Sequence, residues 1–427
     1  MVKYNKKQSY VRIITIMLCV IMALTAAGCG KKAEQKTEIK IGWVMPFTGP
    51  LAEWTRSAKF VGEQALEIIN NQKGGIFIKE YNKSLPVRVI WADSEGDSAK
   101  ASEVSRKLAL DDKVDFLIGM ITPDTVNPVS SVAEANNIPA LVLSAPDGPW
   151  LGGGPYKWTY AVLFSAETMM DSYTTAMTRL DTNGKVGLVY DNSIDGITLS
   201  PIMTEFLERK GFTVVDPGRF PQNTTDYTTL INTFKNEGVE IITANLTDPD
   251  FATMWRQFHQ QGFIPKMMNI AKAAHFTEGL SALGGIGGIE LGRGCITDTF
   301  WEPFYPFTSS LSGLSAFETN RIYEEAMGVP ANNTLGLDWA AFEIFYDVLT
   351  RAQTLDKEGI LKALGQTNTT GSMGPVKFGE NNLYQFPIVT VQWDVDSSGN
   401  WSRNIIANDR HPEIPLSNIP VFPIPGS

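Results

Sequence analysis

Three cysteines and three histidines in 427 residues leave little room for a zinc site or a disulfide framework. A basic face is missing as well. The net charge is −10, and removing Lys3, Lys6, Lys7 and Arg12, the four bases of an acid-free stretch 1–28, takes it to −14. A chain this acidic is poorly suited to gripping nucleic acid, which needs clustered positive charge. Nor does the sequence carry a GxxxxGK[ST] phosphate loop, a GxSxG elbow or an HExxH pair, and His259, His275 and His411 are scattered. These absences argue against an enzyme and against a bound metal or cofactor. With 43 % hydrophobic and 19 % charged residues, the chain is neither disordered nor a multi-span membrane protein, and its length suits two or three domains.

What is present begins with an address. The basic n-region is followed by an apolar run, Ile13–Gly28, ending in LTAAG before Cys29. The run is a little short to span a bilayer comfortably, so the layout is that of a cleaved secretory segment, with an uncleaved membrane anchor as the rival. The arrangement resembles a bacterial lipoprotein signal, which implies cleavage before Cys29, lipid on its thiol and a folded part held outside the inner membrane. Ala26 stands where that pattern more often has leucine. Residues 29–37 are polar and read as a flexible tether. Cys295 is then the one cysteine left to the fold, and it reads as a small buried residue.

From Ile39 onward, β-rich and amphipathic segments alternate. Strands are expected at 39–44, 87–92, 114–119 and 140–143, with helices at 56–71, 99–110 and 126–136 between them. A Gly/Pro-rich pause at 152–155 precedes a second series, with strands at 185–190, 212–215, 239–244 and 266–270 and helices at 199–210, 227–236 and 250–261. Alternation of this kind signals parallel sheets covered by helices on both faces. Later elements are expected at 289–297, 315–327 and 337–352, followed by hairpin-like strands at 374–378 and 387–394 and an irregular, proline-rich tail from His411. In open α/β sheets ligands bind beyond the carboxyl ends of the strands, so the loops after Val44, Gly119, Leu143, Tyr190 and Ala244 are the first candidates for a site.

Several segments carry a family resemblance. Ile39–Trp54, IKIGWVMPFTGPLAEW, resembles the opening of type I periplasmic-binding proteins, in particular the branched-chain amino-acid (leucine/isoleucine/valine) binding family of ABC importers. Asn70–Ile76 (NNQKGGI), Leu108–Gly119 and Leu335–Asp347 (LGLDWAAFEIFYD) resemble that family's first turn, first ligand-loop strand and late helix. The likeness runs over roughly residues 38–395. It implies an α/β fold of two doubly wound, Rossmann-like lobes joined by three crossover segments: lobe one from 38–160 plus 273–370, lobe two from 161–272 plus 371–427. It also implies a monomeric, lipid-anchored solute-binding protein that captures a small zwitterion, an amino acid in the first instance, and delivers it to ABC permease subunits. An aromatic acid or other organic solute, or service as a sensor for a membrane receptor, is the alternative.

The site residues follow from the same resemblance. Thr122 matches the family's serine or threonine on the ligand carboxylate, or is a plain helix N-cap. Pro123 replaces a second serine. Ser144 and Ala145 fall in the next ligand loop, where backbone N–H groups bind; Pro146 replaces a threonine there, and neighbouring Asp147 could be only a turn residue. Trp54 matches a cleft-wall tryptophan, with core packing as the other reading. Asp195-Gly196 replaces a Tyr-Gly pair, so Asp195 either grips a cation or sits in a solvated turn. Asp250 matches the acid that holds the ammonium, with Asp248 or Thr247 as substitutes and an N-cap as the rival role. Trp301, with Phe300, Phe304, Tyr305 and Lys272 as weaker candidates, closes over a bulky ligand or packs at a lobe edge. Asp195 and Asp250 facing the cleft together favour a cationic or zwitterionic ligand.

Overall fold

A computed structural model describes residues 36–427, apart from Gly287, Asn418 and the side chains of Ile286 and Ile289. The expected secretory segment and Cys29 lie outside the described residues. Among those described, no helix is long and apolar enough to cross a membrane.

The strands of the two main sheets are, in chain order, β1 (Ile39–Met45), β2 (Val87–Asp93), β3 (Phe116–Met120), β4 (Ala140–Pro146), β5 (Thr159–Phe164), β6 (Lys185–Asp191), β7 (Thr213–Val215), β8 (Arg219–Phe220), β9 (Ile241–Asn245), β10 (Met267–Ala271), β11 (Ile296–Thr299), β12 (Leu383–Gln385), β13 (Val389–Val395) and β14 (Trp401–Ala407). The helices that cover them are α1 (Ala58–Leu66), α2 (Ser98–Leu110), α3 (Pro123–Asn136), α4 (Asp147–Gly152), α5 (Ala166–Met177), α6 (Ile194–Arg209), α7 (Thr228–Glu237), α8 (Asp248–Gln260), α9 (Thr277–Leu283), α10 (Ala316–Met327), α11 (Leu335–Ala352) and α12 (Lys357–Gly365). The first sheet runs β12-β5-β4-β3-β1-β2 and is parallel throughout. In the second, the order is β8-β6-β9-β10-β11-β13-β14, with β7 also pairing β6. That sheet is parallel up to β11 and antiparallel beyond it. The chain passes from the first sheet to the second after β5, back after β11, and over again between β12 and β13.

Parallel strands buried on both faces need apolar side chains pointing both ways. In β1, Ile39, Ile41, Trp43 and Met45 face one core and Val44 another. Trp43 packs on Phe342 of α11 (ring centroids 4.9 Å apart), and Phe116 of β3 meets Phe345 at 5.4 Å. On the other face, Val44, Leu117 and Val142 pack with Leu108 of α2 and Val126 and Val129 of α3. The second sheet repeats the scheme: Ile242, Met268 and Ile270 pack with Phe234 of α7 and Trp255 and Phe258 of α8, while Leu188 and Tyr190 join the core containing Met169 of α5 and Met203 of α6.

Sheet membership departs from the expected lobe segments. β11 lies within 273–370, expected in lobe one, yet it pairs β10 and β13 of the second sheet. β12 lies within 371–427, expected in lobe two, yet it pairs β5 of the first. Residue alternation marks a strand but does not say which sheet it joins. For the same reason the expected hairpin of 374–378 with 387–394 does not form: Gly374–Lys377 pairs Asn368–Gly371, and β13 pairs β11 and β14. The expected helix 56–71 changes from α-helical to π-helical geometry after Leu66. Cys295 is buried and free, in keeping with a packing role, and burial raises its thiol pKa.

Close approach of α3 to the first sheet rests on Gly119, where an added Cβ would lie 2.8 Å from Cγ2 of Val129. Gly119→Ala is therefore expected to cost about 1–3 kcal/mol by overpacking, measured by urea unfolding.

Candidate functional site

The carboxyl ends of both sheets open on one cavity of about 410 Å³, part of it solvent. From the first sheet come Ile121 and Thr122 after β3, Ser144, Ala145 and Pro146 at the end of β4, and Phe164 at the end of β5. The second supplies Asn245 of β9, Ala271 and Lys272 at the end of β10, Asp298 of β11 and, from the first turn of α6, Asp195. Trp54, Met169, Leu199, His275 and Phe300 complete the wall.

The chain is bent sharply at these strand ends. Ile121, Thr122, Ser144, Lys272 and Ala274 all have positive φ, between 59° and 72°. For residues with a Cβ this backbone is unfavourable, and for a β-branched one a clear outlier. Ser144 and Ala145 also leave the ladder with β5, whose register slips between Leu143 and Pro146. The strain re-aims backbone and side chains from the sheet edges into the cavity.

Thr122 occupies the N-cap position of α3 but makes no capping hydrogen bond. Its hydroxyl Oγ1 is buried without a protein partner, so the plain N-cap reading fails. Asp195 is likewise no solvated turn. It is 5 % exposed, and its Oδ1 is unpartnered. Ser193 caps the helix below it by accepting from the Gly196 N–H at 3.2 Å. Gly196 permits this fold because the carbonyl and carboxylate of Asp191 lie where a Cβ would be. Trp54 serves both readings offered for it. It lines the cavity and packs at tilted or edge-on angles against His275 (4.5 Å), Phe276 (5.2 Å) and Phe300 (5.7 Å), while its Nε1 lacks a partner.

Two expected site residues lie outside this cavity. Asp250 is buried in the first turn of α8, where its Oδ2 accepts from the Thr247 hydroxyl at 3.1 Å. Asp248 accepts from the Ala274 N–H at 3.0 Å and braces the 272–276 loop from behind. Trp301 packs its indole against Gly336 at the start of α11, in the core. Of the aromatic stretch, Phe300 alone lines the cavity; Tyr305 is core, and Phe304 is exposed.

Electrostatically the cavity pairs one cation with several acids. The Lys272 ammonium lies 3.5 Å from Oδ2 of Asp191 and 3.3 Å from Oγ of Ser193. Burial pushes the Asp195 carboxyl up to about 6, against the pull of Lys272 and with repulsion from Asp191 and Asp124. Asp298 is pushed up to about 7, also by burial, against a hydrogen bond from Tyr173. Burial, aided by the Arg403 charge, lowers His275 to about 3, so this ring is neutral. Its Nδ1 accepts from Nδ2 of Asn333 at 2.8 Å, and its Nε2 meets the Thr297 hydroxyl at 3.2 Å.

Sequence reasoning missed Asp298, His275, Asn245 and Phe164. Asn245 ends an expected strand and was reachable by the strand-end rule. His275 lies in the loop after β10, another expected strand, while Phe164 and Asp298 depend on β5 and β11 being placed in their sheets. Among the described residues no cluster of His, Cys, Asp and Glu has the geometry to hold a metal ion.

A parallel sheet and a mixed sheet bring strand ends, aromatic walls and unpaired polar atoms to one small cavity. A family model described as periplasmic binding protein matches residues 38–400, and the chain belongs to that family. It is a solute-binding protein of the ABC-transporter type. It is 22 % identical over 391 residues to Leu/Ile/Val-binding protein homolog 7 of Brucella abortus, covering 88 % of this chain and 94 % of that one. With homolog 3 of Brucella melitensis it shares 25 % identity over 241 residues, which span 62 % of that protein. Among solved structures, the leucine-binding protein LivK of Thermotoga maritima superposes with a TM-score of 0.72 at 18 % identity, covering 87 % of this chain and 99 % of that one. LivJ of Streptococcus pneumoniae, in complex with isoleucine, gives 0.72 at 16 %, covering 87 % and 100 %. A solute-binding protein of Rhodopseudomonas palustris BisB5, in complex with 3,4-dihydroxybenzoic acid, gives 0.67 at 14 %, covering 92 % and 99 %. These neighbours share the fold.

Thr122→Val removes a hydroxyl donor aimed into the cavity and is expected to weaken binding of a carboxylate-bearing ligand about 10- to 100-fold, the loss of a hydrogen bond to a charged group. Asp250→Asn is expected to leave affinity within about twofold, because the side chain is turned toward Thr247. Isothermal titration of the two variants checks both outcomes.

Proposed function

We propose that the chain captures a small zwitterion with an apolar side chain, an amino acid in the first instance, and delivers it to an ABC permease. The observation that carries this reading is the unpartnered Oδ1 of Asp195, buried across the cavity from the unpartnered Thr122 hydroxyl. A buried carboxylate oxygen without a hydrogen-bond donor is costly until one arrives, and the ligand ammonium supplies that donor beside the existing pull of Lys272. At the other end, Thr122 Oγ1 and the bent backbone at Ser144 and Ala145 suit a carboxylate. Trp54, Phe164 and Phe300 cover the apolar part. The two sheets act as lobes that close over the solute about the crossover segments. In this reading Trp54, Thr122, Ser144, Ala145 and Asp195 contact ligand, Asp250 and Trp301 do not, and Lys272 is held by Asp191. The protein works as a monomer, lipid-anchored through Cys29 outside the cytoplasmic membrane.

A second reading, an aromatic acid, is favoured by Lys272 in an aromatic-walled cavity and by the dihydroxybenzoate complex of a structural neighbour.

Asp195→Asn is expected to weaken binding of a zwitterion about 10- to 100-fold, the loss of a hydrogen bond to a charged group, and to spare an aromatic acid. In the wild type, an ammonium needs the ionised carboxylate. With Asp195 near 6, affinity is expected to fall about tenfold between pH 7 and pH 5, since the competent fraction scales the apparent Kd. Asp298, facing the same cavity and titrating near 7, adds to that trend. Titration calorimetry from pH 5 to 8 on both proteins tests this; unchanged affinity in the variant removes the zwitterion reading.

A further inference from the structure

We infer that Asp298 is a specificity determinant, accepting a hydrogen bond from a second donor, a hydroxyl or an amine, on the apolar part of the ligand. The zwitterion reading assigns the ligand's ammonium to Asp195 and its carboxylate to the Thr122 end. One acid of the cavity then remains without a function. Asp298 reaches the cavity from β11 and is 3 % exposed. The hydroxyl of Tyr173, itself buried, donates to its Oδ1. Among the described residues no other side chain donates to it. His275, whose Nε2 is 3.9 Å away, is not a counter-ion, because its Nδ1 accepts from Asn333 and the buried ring is neutral. Lys272 is committed to Asp191 and Ser193. Tyr173 and the Asp298 backbone N–H donate to the carboxyl group and hold it in place, and an ionised or neutral carboxyl retains acceptor capacity beyond those bonds. A purely apolar ligand would cover Asp298 without completing it, which penalises binding. A site that hydrogen-bonds a ligand hydroxyl rejects the analogue lacking it more strongly than an apolar pocket rejects a missing methylene. Tyr173 and Asp298 therefore form a positioned acceptor that selects donor-bearing solutes.

The test is titration calorimetry on the purified protein with shape-matched pairs: L-valine against L-threonine, L-phenylalanine against L-tyrosine, and benzoate against 4-hydroxybenzoate. At least one hydroxylated member is expected to bind tenfold or more tightly than its mate. Asp298→Leu is expected to abolish that ratio, and Asp298→Asn, which preserves shape and guards against misfolding, to reduce it to about threefold. Equal affinities within every pair, a ratio that survives both substitutions, or binding of no probe would overturn the inference. If amino acids bind without hydroxyl preference, the inference falls while the zwitterion reading stands. If only 4-hydroxybenzoate binds, and through Asp298, the zwitterion reading falls and the inference stands.

Discussion

A buried polar side-chain atom without a partner costs about 1–3 kcal/mol, and the cavity between the two sheets carries that cost at Thr122 Oγ1, Asp195 Oδ1 and Asn245 Oδ1. Native proteins rarely leave such atoms unpaired unless something else completes them. Here they converge from different sheets on one small space. The rest of the architecture can be seen as the means of holding them there: parallel sheets that end at a common place, helices that fix each sheet from both faces, and loops bent tightly enough to turn side chains inward.

The bending has its own cost. Five residues with side chains take positive φ at or beside the strand ends, and each such position is destabilising by itself. The compensation comes from neighbouring contacts. Thr122 N–H donates to the Ser144 carbonyl at 3.1 Å, tying two strained positions together. Asp248 holds the Ala274 N–H, fixing the loop that presents Lys272 and His275. Sidedness is also built in. The first sheet contributes hydroxyl and backbone groups to the cavity, and the second contributes charged side chains.

Much of the fold was legible because the parallel strands are apolar on both faces and the helices amphipathic, signals that survive in a single sequence. The strand-end rule pointed to the loops, and the family resemblance singled out Thr122, Ser144, Ala145 and Asp195 within them; all four line the cavity. What failed was partnership over long distances. Nothing local in Ile296–Thr299 says that it lies beside Met267–Ala271, and that single placement brings Asp298 into the cavity. Asp250 lies outside the cavity for a related reason. It occupies the expected stretch after β9, but its carboxylate is taken up by Thr247 three residues earlier, a short-range bond that sequence pattern alone does not distinguish from a ligand contact. Trp301 and Phe300 are neighbours in sequence, yet one packs under α11 and the other faces the cavity, because adjacent side chains leave the end of a strand in different directions.

The central claim is that a solute completes the polar atoms the fold leaves unpaired. A crystal structure with the tightest-binding small solute tests it directly. The account predicts density between the two sheets, with ligand atoms within hydrogen-bond distance of Thr122 Oγ1 and Asp195 Oδ1. Density elsewhere on the chain, with those two atoms left as they are or bonded only to water, would contradict it.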